Sequence, residues 1–212
     1  MSARRRAAIF ISGRGSNMTA LLSAMADPAH PAEAALVLSN NAGAAGLAYA
    51  SGAGVATAVV DHRPHKGDRA AFEAEIASVL AAHRIDLICL AGFLRILTAP
   101  FVEAWRDRMV NIHPSLLPSF KGLETHARAI AAGVAFHGCT VHLVRPEMDD
   151  GPILGQAALR VNGGEDPARL AGRVLALEHM LYPAALAAYL CGEIRLEGEV
   201  IHPAPLALTE PA

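Results

Sequence analysis

The 212-residue chain is short of lysine and cysteine, and what each shortage leaves out narrows the function. Lysine occurs only at Lys66 and Lys121, and the formal net charge is −2, so no broad basic field is available to hold a nucleic-acid backbone. Any anionic ligand must be gripped locally. The accompanying excess of Ala, Arg and Gly is a mark of genomic base composition and identifies no partner. The three cysteines, Cys89, Cys139 and Cys191, are odd in number, lie among apolar neighbours and form no Cys-x-x-Cys pair. Neither a disulfide framework nor a zinc site is indicated, and a reducing cytoplasm is the expected location. Long apolar runs are missing as well. None reaches the roughly 20 residues that span a bilayer, and the run Ala7 to Ile11 behind Arg4-Arg5-Arg6 stops at Ser12-Gly13-Arg14, too soon for an export signal. No heptad or fixed-period repeat is present. The expectation is a soluble protein with neither membrane nor nucleic acid as partner.

What is present is 53% hydrophobic and 18% charged residues, enough to bury the core of one domain or of two closely joined lobes. Short unbroken apolar runs alternate with helical stretches. Strands are expected at 7–11, 35–38, 55–60 and 85–90, with helices at about 16–26, 44–51 and 68–83 between them. That rhythm predicts an open, mostly parallel α/β sheet with helices on both faces. Beyond Gly92 it loosens to a short helix near 100–105, strands at 109–112, 137–144 and 153–161, a long helix over 166–190 containing Pro183, and a hairpin around Gly198. No linker separates the halves, so residues 1–212 are read as a single domain, with a phosphate-binding half over about 1–105 and a catalytic half over about 106–212.

Four stretches have the residue types for chemistry. Ile11-Ser-Gly-Arg-Gly-Ser-Asn17 stands where the first strand turns into the first helix. Glycines let the backbone approach a ligand, Ser16 and Asn17 can cap the helix, and its free N–H groups make an anion cradle. Met18 occupies the third-glycine position of a dinucleotide fingerprint, which favours one monophosphate; the alternative is an ordinary tight turn. Asn111 and His113 in Asn111-Ile-His-Pro-Ser-Leu-Leu-Pro118 are two apart on a strand and project together at its end, where open α/β sheets bind ligands. An amide beside an imidazole can stabilise a developing oxyanion, although such a pair can equally satisfy local backbone groups. Asp149, in Met148-Asp-Asp-Gly-Pro152, is by composition a turn residue; near His113 its charge would orient the imidazole. Leu90 to Leu97 can line a slot for a flat heteroaromatic ring but reads more simply as core, and Glu178-His179 reads more simply as a solvated face.

In order along the chain, Ile11 to Asn17, Leu90 to Leu97, Asn111 to Pro118, His137 to His142 and Asp149 to Pro152 resemble the folate-dependent formyltransferases, in particular the branch acting on glycinamide ribonucleotide. The resemblance runs from Ala7 to about Tyr189. It implies a Rossmann-like half joined to a folate-binding half, and formyl transfer from 10-formyltetrahydrofolate, as co-substrate, to the ribonucleotide amine without a metal. Carried over, Asn111, His113 and Asp149 are the catalytic trio; Gly13, Gly15, Ser16 and Asn17 hold the substrate phosphate; Glu178 contacts the rest of the ribonucleotide. Arg69, Leu94, Arg95, Ile96 and Leu97 belong to the folate pocket, with Thr140 and His142 in the strand beside it. Leu175 departs from the pattern, since relatives tend to place Gln or Lys there to help hold the phosphate; either the backbone N–H groups of the Gly13 to Asn17 loop bear more of the anion, or Arg14 or Arg173 substitutes. Partners are then small molecules, with the chain a monomer or homodimer. Hydrolysis of formyltetrahydrofolate is the competing activity, disfavoured because the first strand begins by Ala7 and leaves no room for the N-terminal regulatory domain usual in such relatives. Methionyl-tRNA formyl transfer is disfavoured by the lack of a basic surface and further C-terminal domain. A non-catalytic phosphate-binding module is the remaining alternative.

Overall fold

A computed structural model describes residues 3–209. The chain divides into two compact units, Met1–Val110 and Asn111–Ala212. In the first, strands β1 (Arg5–Ile11), β2 (Ala32–Ser39), β3 (Thr57–Val59) and β4 (Leu87–Leu90) alternate with helices α1 (Ser16–Met25), α2 (Ala45–Gly52) and α3 (Arg69–Ala82), and α4 (Ala99–Ala104) follows. β1 pairs in parallel with β2 and β4, and β2 with β3, as expected of βαβ crossovers. Ala7 to Ile11 of β1 and Leu36 to Leu38 of β2 are fully buried, which is why these strands read as unbroken apolar runs rather than alternating ones. α3 begins at Asp68, whose carboxylate accepts the Ala71 N–H at 2.9 Å.

β5 (Met109–His113) runs across the boundary between the units. The second unit continues with α5 (Thr125–Ala131), β6 (Phe136–Leu143), β7 (Ile153–Arg160), α6 (Pro167–Cys191), β8 (Arg195–Glu197), β9 (Val200–His202) and β10 (Leu206–Thr209). β6 and β7 are antiparallel, β10 is parallel to β7, and β8 and β9 make the expected hairpin. α6 starts at Asp166, which accepts the N–H groups of Ala168 and Arg169, and ends at Gly192 in the left-handed conformation, φ 75°. By length and composition alone α6, the long helix expected over 166–190, could cross a membrane. Its buried stripe, Leu170, Val174, Leu177, Leu181 and Ala185, packs instead on β6 and β7 as a core helix.

Two elements were not anticipated. α5 is short and is entered through Glu124 with a left-handed φ of 56° and no side-chain cap, so the usual Ser/Thr/Asp start signal is absent. β10 exposes alternate residues and lies beyond the hairpin, past the end of the resemblance.

Candidate active site

In the second unit, β5 and β6 and the two loops that follow them bring four polar side chains around one point. Asn111 and His113 project from β5, His142 from β6, and Asp149 from the turn after β6. His142 is 2% exposed, and its Nδ1 lies 2.9 Å from the Leu143 carbonyl oxygen, a contact only an N–H can make. Burial also holds the imidazole below the ordinary histidine range, despite the opposing pull of the Leu143 carbonyl and Asp149. A neutral ring with its proton on Nδ1 has an acceptor at Nε2. The Asn111 side-chain atom 3.1 Å from that nitrogen must then be the amide Nδ2, donating. One amide hydrogen is thereby committed and the second remains for a ligand oxygen.

His113 is similarly fixed. Its Nε2–H donates to the Phe120 carbonyl at 3.0 Å, which turns Nδ1 towards Asp149 Oδ2 at 3.5 Å. The carboxylate itself is held by the Gly122 N–H at 2.9 Å, and its Oδ1 is 3.9 Å from His142 Nε2. The sequence reading assigned the orientation of His113 to Asp149; the shorter tether is the Phe120 carbonyl, a main-chain group with no side-chain signal. Phe120, Glu124 and Asp149 all have positive φ, between 53° and 56°, so loop and turn are bent to meet. Lys121 and Asp150 close them with an ion pair. Beneath lie two more histidines. Burial, with His126 and His113 nearby, pushes His137 down to about 4, and burial also lowers His126, whose Nδ1 is 3.2 Å from His137 Nε2.

The other expected residues of this unit are placed differently. Thr140 is fully buried: its hydroxyl donates to the Ser115 carbonyl at 2.7 Å and accepts the Leu117 N–H at 3.0 Å and Gln156 Nε2 at 3.1 Å. Its hydroxyl therefore anchors the loop after β5 rather than facing a ligand. Glu178 corrects the expectation of a solvated face. It is 6% exposed on α6, close enough to raise the Cys139 thiol pKa together with burial. Arg173, offered as a substitute phosphate ligand for Leu175, has its guanidinium on the Glu165 carboxylate at 2.8 Å and the Arg160 carbonyl at 3.0 Å.

The first unit contains a site of another kind. After β1, Gly15 rather than Ser16 or Asn17 caps α1, with φ 73° and no side-chain cap. The expected Ser16/Asn17 cap is thus corrected: those residues are the first two of the helix, and its leading N–H groups have no side-chain cap from Gly15. Gly13, Arg14 and Ser16 are exposed, while Asn17 is 9% exposed. The Gly46 N–H supports the turn from α2 through the Gly13 carbonyl at 3.1 Å.

Ser12 links this turn to the 91–98 segment. Its hydroxyl donates to Asn40 Oδ1 at 2.6 Å and accepts the Leu94 N–H at 2.8 Å. The other end of the segment is held by buried Glu73 on α3, one turn beyond Arg69, which accepts the Thr98 N–H at 2.6 Å. Leu97 is buried, but Leu94 and Ile96 are 70% and 66% exposed and Arg95 is exposed, so the simpler reading of this stretch as core is overturned. Exposed apolar side chains on a segment pinned at both ends suit a flat heteroaromatic ligand.

An α/β chain in which one amide and one imidazole present hydrogen-bonding edges beside a carboxylate has the groups for chemistry at a carbonyl carbon, and that is the class the geometry defines. The chain belongs to the Formyl transferase family, matching it over residues 5–186. It is 45% identical over 193 residues to the human trifunctional purine biosynthetic protein adenosine-3, covering 91% of this chain and 19% of that protein's length. The chain therefore spans about a fifth of such trifunctional relatives. It is 36% identical to phosphoribosylglycinamide formyltransferase of Escherichia coli (strain K12), covering 89% of this chain and 88% of the relative. The crystal structure of phosphoribosylglycinamide formyltransferase from Anaplasma phagocytophilum shares the fold with a TM-score of 0.89 at 40% identity, over 99% of this chain and 100% of that one. A formyltetrahydrofolate deformylase from Pseudomonas syringae, 24% identical with a TM-score of 0.86 over 94% of this chain and 66% of that one, shares the fold alone.

Proposed function

We propose that the chain transfers the formyl group of 10-formyltetrahydrofolate to the amine of 5'-phosphoribosylglycinamide, yielding formylglycinamide ribonucleotide and tetrahydrofolate in purine biosynthesis. The observation that carries this reading is the gathering of Asn111, His113 and Asp149 around one point, with His142 and the Phe120 carbonyl setting which atoms face it. In this reading residues 1–212 act as one formyltransferase domain in the cytoplasm, as monomer or homodimer. About 1–105 supply the phosphate cradle at Gly13, Gly15, Ser16 and Asn17, and about 106–212 supply the chemistry. Arg69, Leu94, Arg95, Ile96 and Leu97 hold the folate, which supplies the formyl carbon, and Glu178 serves the ribonucleotide.

As the neutral amine attacks that carbon, negative charge grows on the formyl oxygen. The uncommitted N–H of Asn111 donates to it. His113, with Nε2–H fixed on Phe120, donates from a protonated Nδ1, and Asp149 stabilises the resulting cation. Asp149 then moves the proton lost by the amine, through a water, to the departing folate nitrogen, so protons balance without a covalent enzyme intermediate.

The test is to incubate purified protein with 10-formyltetrahydrofolate, with and without the ribonucleotide. Tetrahydrofolate release only when the ribonucleotide is present is the expected result. Equal release in its absence means hydrolysis, and no release in either case means a binding module; both outcomes overturn the reading.

A further inference from the structure

Arg145 lies two residues past the end of β6, and its side chain is only 6% exposed. Glu199 grips its guanidinium with both carboxylate oxygens, Oε2 to Nε at 2.8 Å and Oε1 to Nη2 at 3.3 Å. Glu199 stands beside Gly198, φ 67°, in the turn of the β8–β9 hairpin. That hairpin is beyond residue 186, where the family match ends. A two-pronged contact of this sort fixes direction as well as distance, which a surface pair between two flexible chains does not.

The stem of Arg145 lies against Gly151 in the turn that carries Asp149. A Cβ on Gly151 would lie 1.7 Å from the Leu143 carbonyl oxygen and 3.3 Å from Arg145 Cγ, so the turn is seated directly on that strand end and that stem. Two residues earlier, Asp149 has the left-handed φ of 53°, a conformation that persists only where the surroundings hold it.

We propose that Arg145 and Glu199 are positioning residues for Asp149: the hairpin carboxylate locks the arginine stem, the stem seats Gly151, and the seated turn keeps the Asp149 carboxylate at 3.5 Å from His113 Nδ1. Removing Glu199 takes the two-pronged contact from a buried cation that keeps the Val144 carbonyl at 3.2 Å, and the stem, no longer fixed in direction, shifts under the turn. The kinetic consequence rests on the formyl-transfer reading; the structural one does not.

The experiment compares Glu199→Ala, Glu199→Gln and Asp149→Asn with the unaltered protein. It measures kcat, KM for the ribonucleotide, and the titration of the His113 imidazole by NMR. The titratable groups facing that ring are Asp149, His126, His137 and His142. Glu199→Ala is expected to lower kcat roughly tenfold with KM within about twofold, since small misplacements of a reacting group cost rate more than binding. It should also move the His113 midpoint towards that of Asp149→Asn, with Glu199→Gln between. A folded Glu199→Ala with unaltered kcat and an unaltered His113 midpoint overturns the clamp. If Glu199→Ala does not fold, Glu199→Gln decides by the same criteria. If the unaltered protein transfers no formyl group, the functional reading fails while the NMR comparison still decides the clamp.

Discussion

The turn after β1 and the cluster around His113 recruit different parts of the chain. The turn is made of main chain: a left-handed glycine, exposed neighbours and the leading N–H groups of a helix. The cluster is made of side chains from two strands and two loops, each locked by a specific acceptor or donor. A main-chain site depends on conformation, so its side chains are replaceable and its glycines are not. A side-chain site has the opposite tolerance.

The largest expected effect follows from the cluster. Replacing His113 with Ala removes a donor aimed at developing charge, a loss worth about 2.7–4 kcal/mol, or about 10²- to 10³-fold in kcat. KM for the ribonucleotide should move by less than about threefold, because the phosphate cradle is untouched. Steady-state kinetics decide it, and a variant that keeps wild-type kcat while losing ribonucleotide affinity would reverse the roles assigned to the two regions.

The same difference governs what the sequence made legible. Asn111 and His113 could be paired from the two-residue period of a strand, and the glycine turn from its place between an apolar run and a helix. The buried strands of the first unit were readable because parallel pairing covers both faces. The Phe120 carbonyl that orients His113 could not be found, since every residue has a carbonyl and only the loop's path selects this one. Asp149 looked like a turn residue because it is one; its approach to His113 needs a positive φ that composition does not encode. The burial of Glu178 and the bonds that engage the Thr140 hydroxyl were hidden for a related reason. Periodicity says that a polar residue is present, but not that tertiary packing buries it with its groups engaged.

Acid should separate the two regions next. The cluster stands on buried histidines, whereas the turn itself contains no histidine or carboxylate. His137 is held at about 4, while unfolded histidine titrates near 6.5. Between those values the unfolded chain binds more protons than the folded one, so this contribution is complete above about pH 6.5 and is lost as pH falls towards 4. The linkage amounts to at most about 3 kcal/mol. Urea unfolding across that window should show stability falling with pH, and His137→Gln should flatten the decline. An equally steep decline in the variant would place the sensitivity elsewhere.

The smallest effect is also the sharpest test of a main-chain site. Ala at position 15 must hold φ near 73°, and its Cβ would come 3.2 Å from Met18 Cε and 3.5 Å from Gly46 Cα. The left-handed conformation alone costs an L residue about 1–2 kcal/mol, so Gly15→Ala should lower Tm by about 2–8 °C and raise KM for the ribonucleotide. Ser16→Ala, next in sequence, removes an exposed hydroxyl that caps nothing. It should change stability by less than about 0.5 kcal/mol. If the two substitutions had equal effects on stability and KM, the turn would owe its function to a side chain, and the contrast with the His113 cluster would collapse.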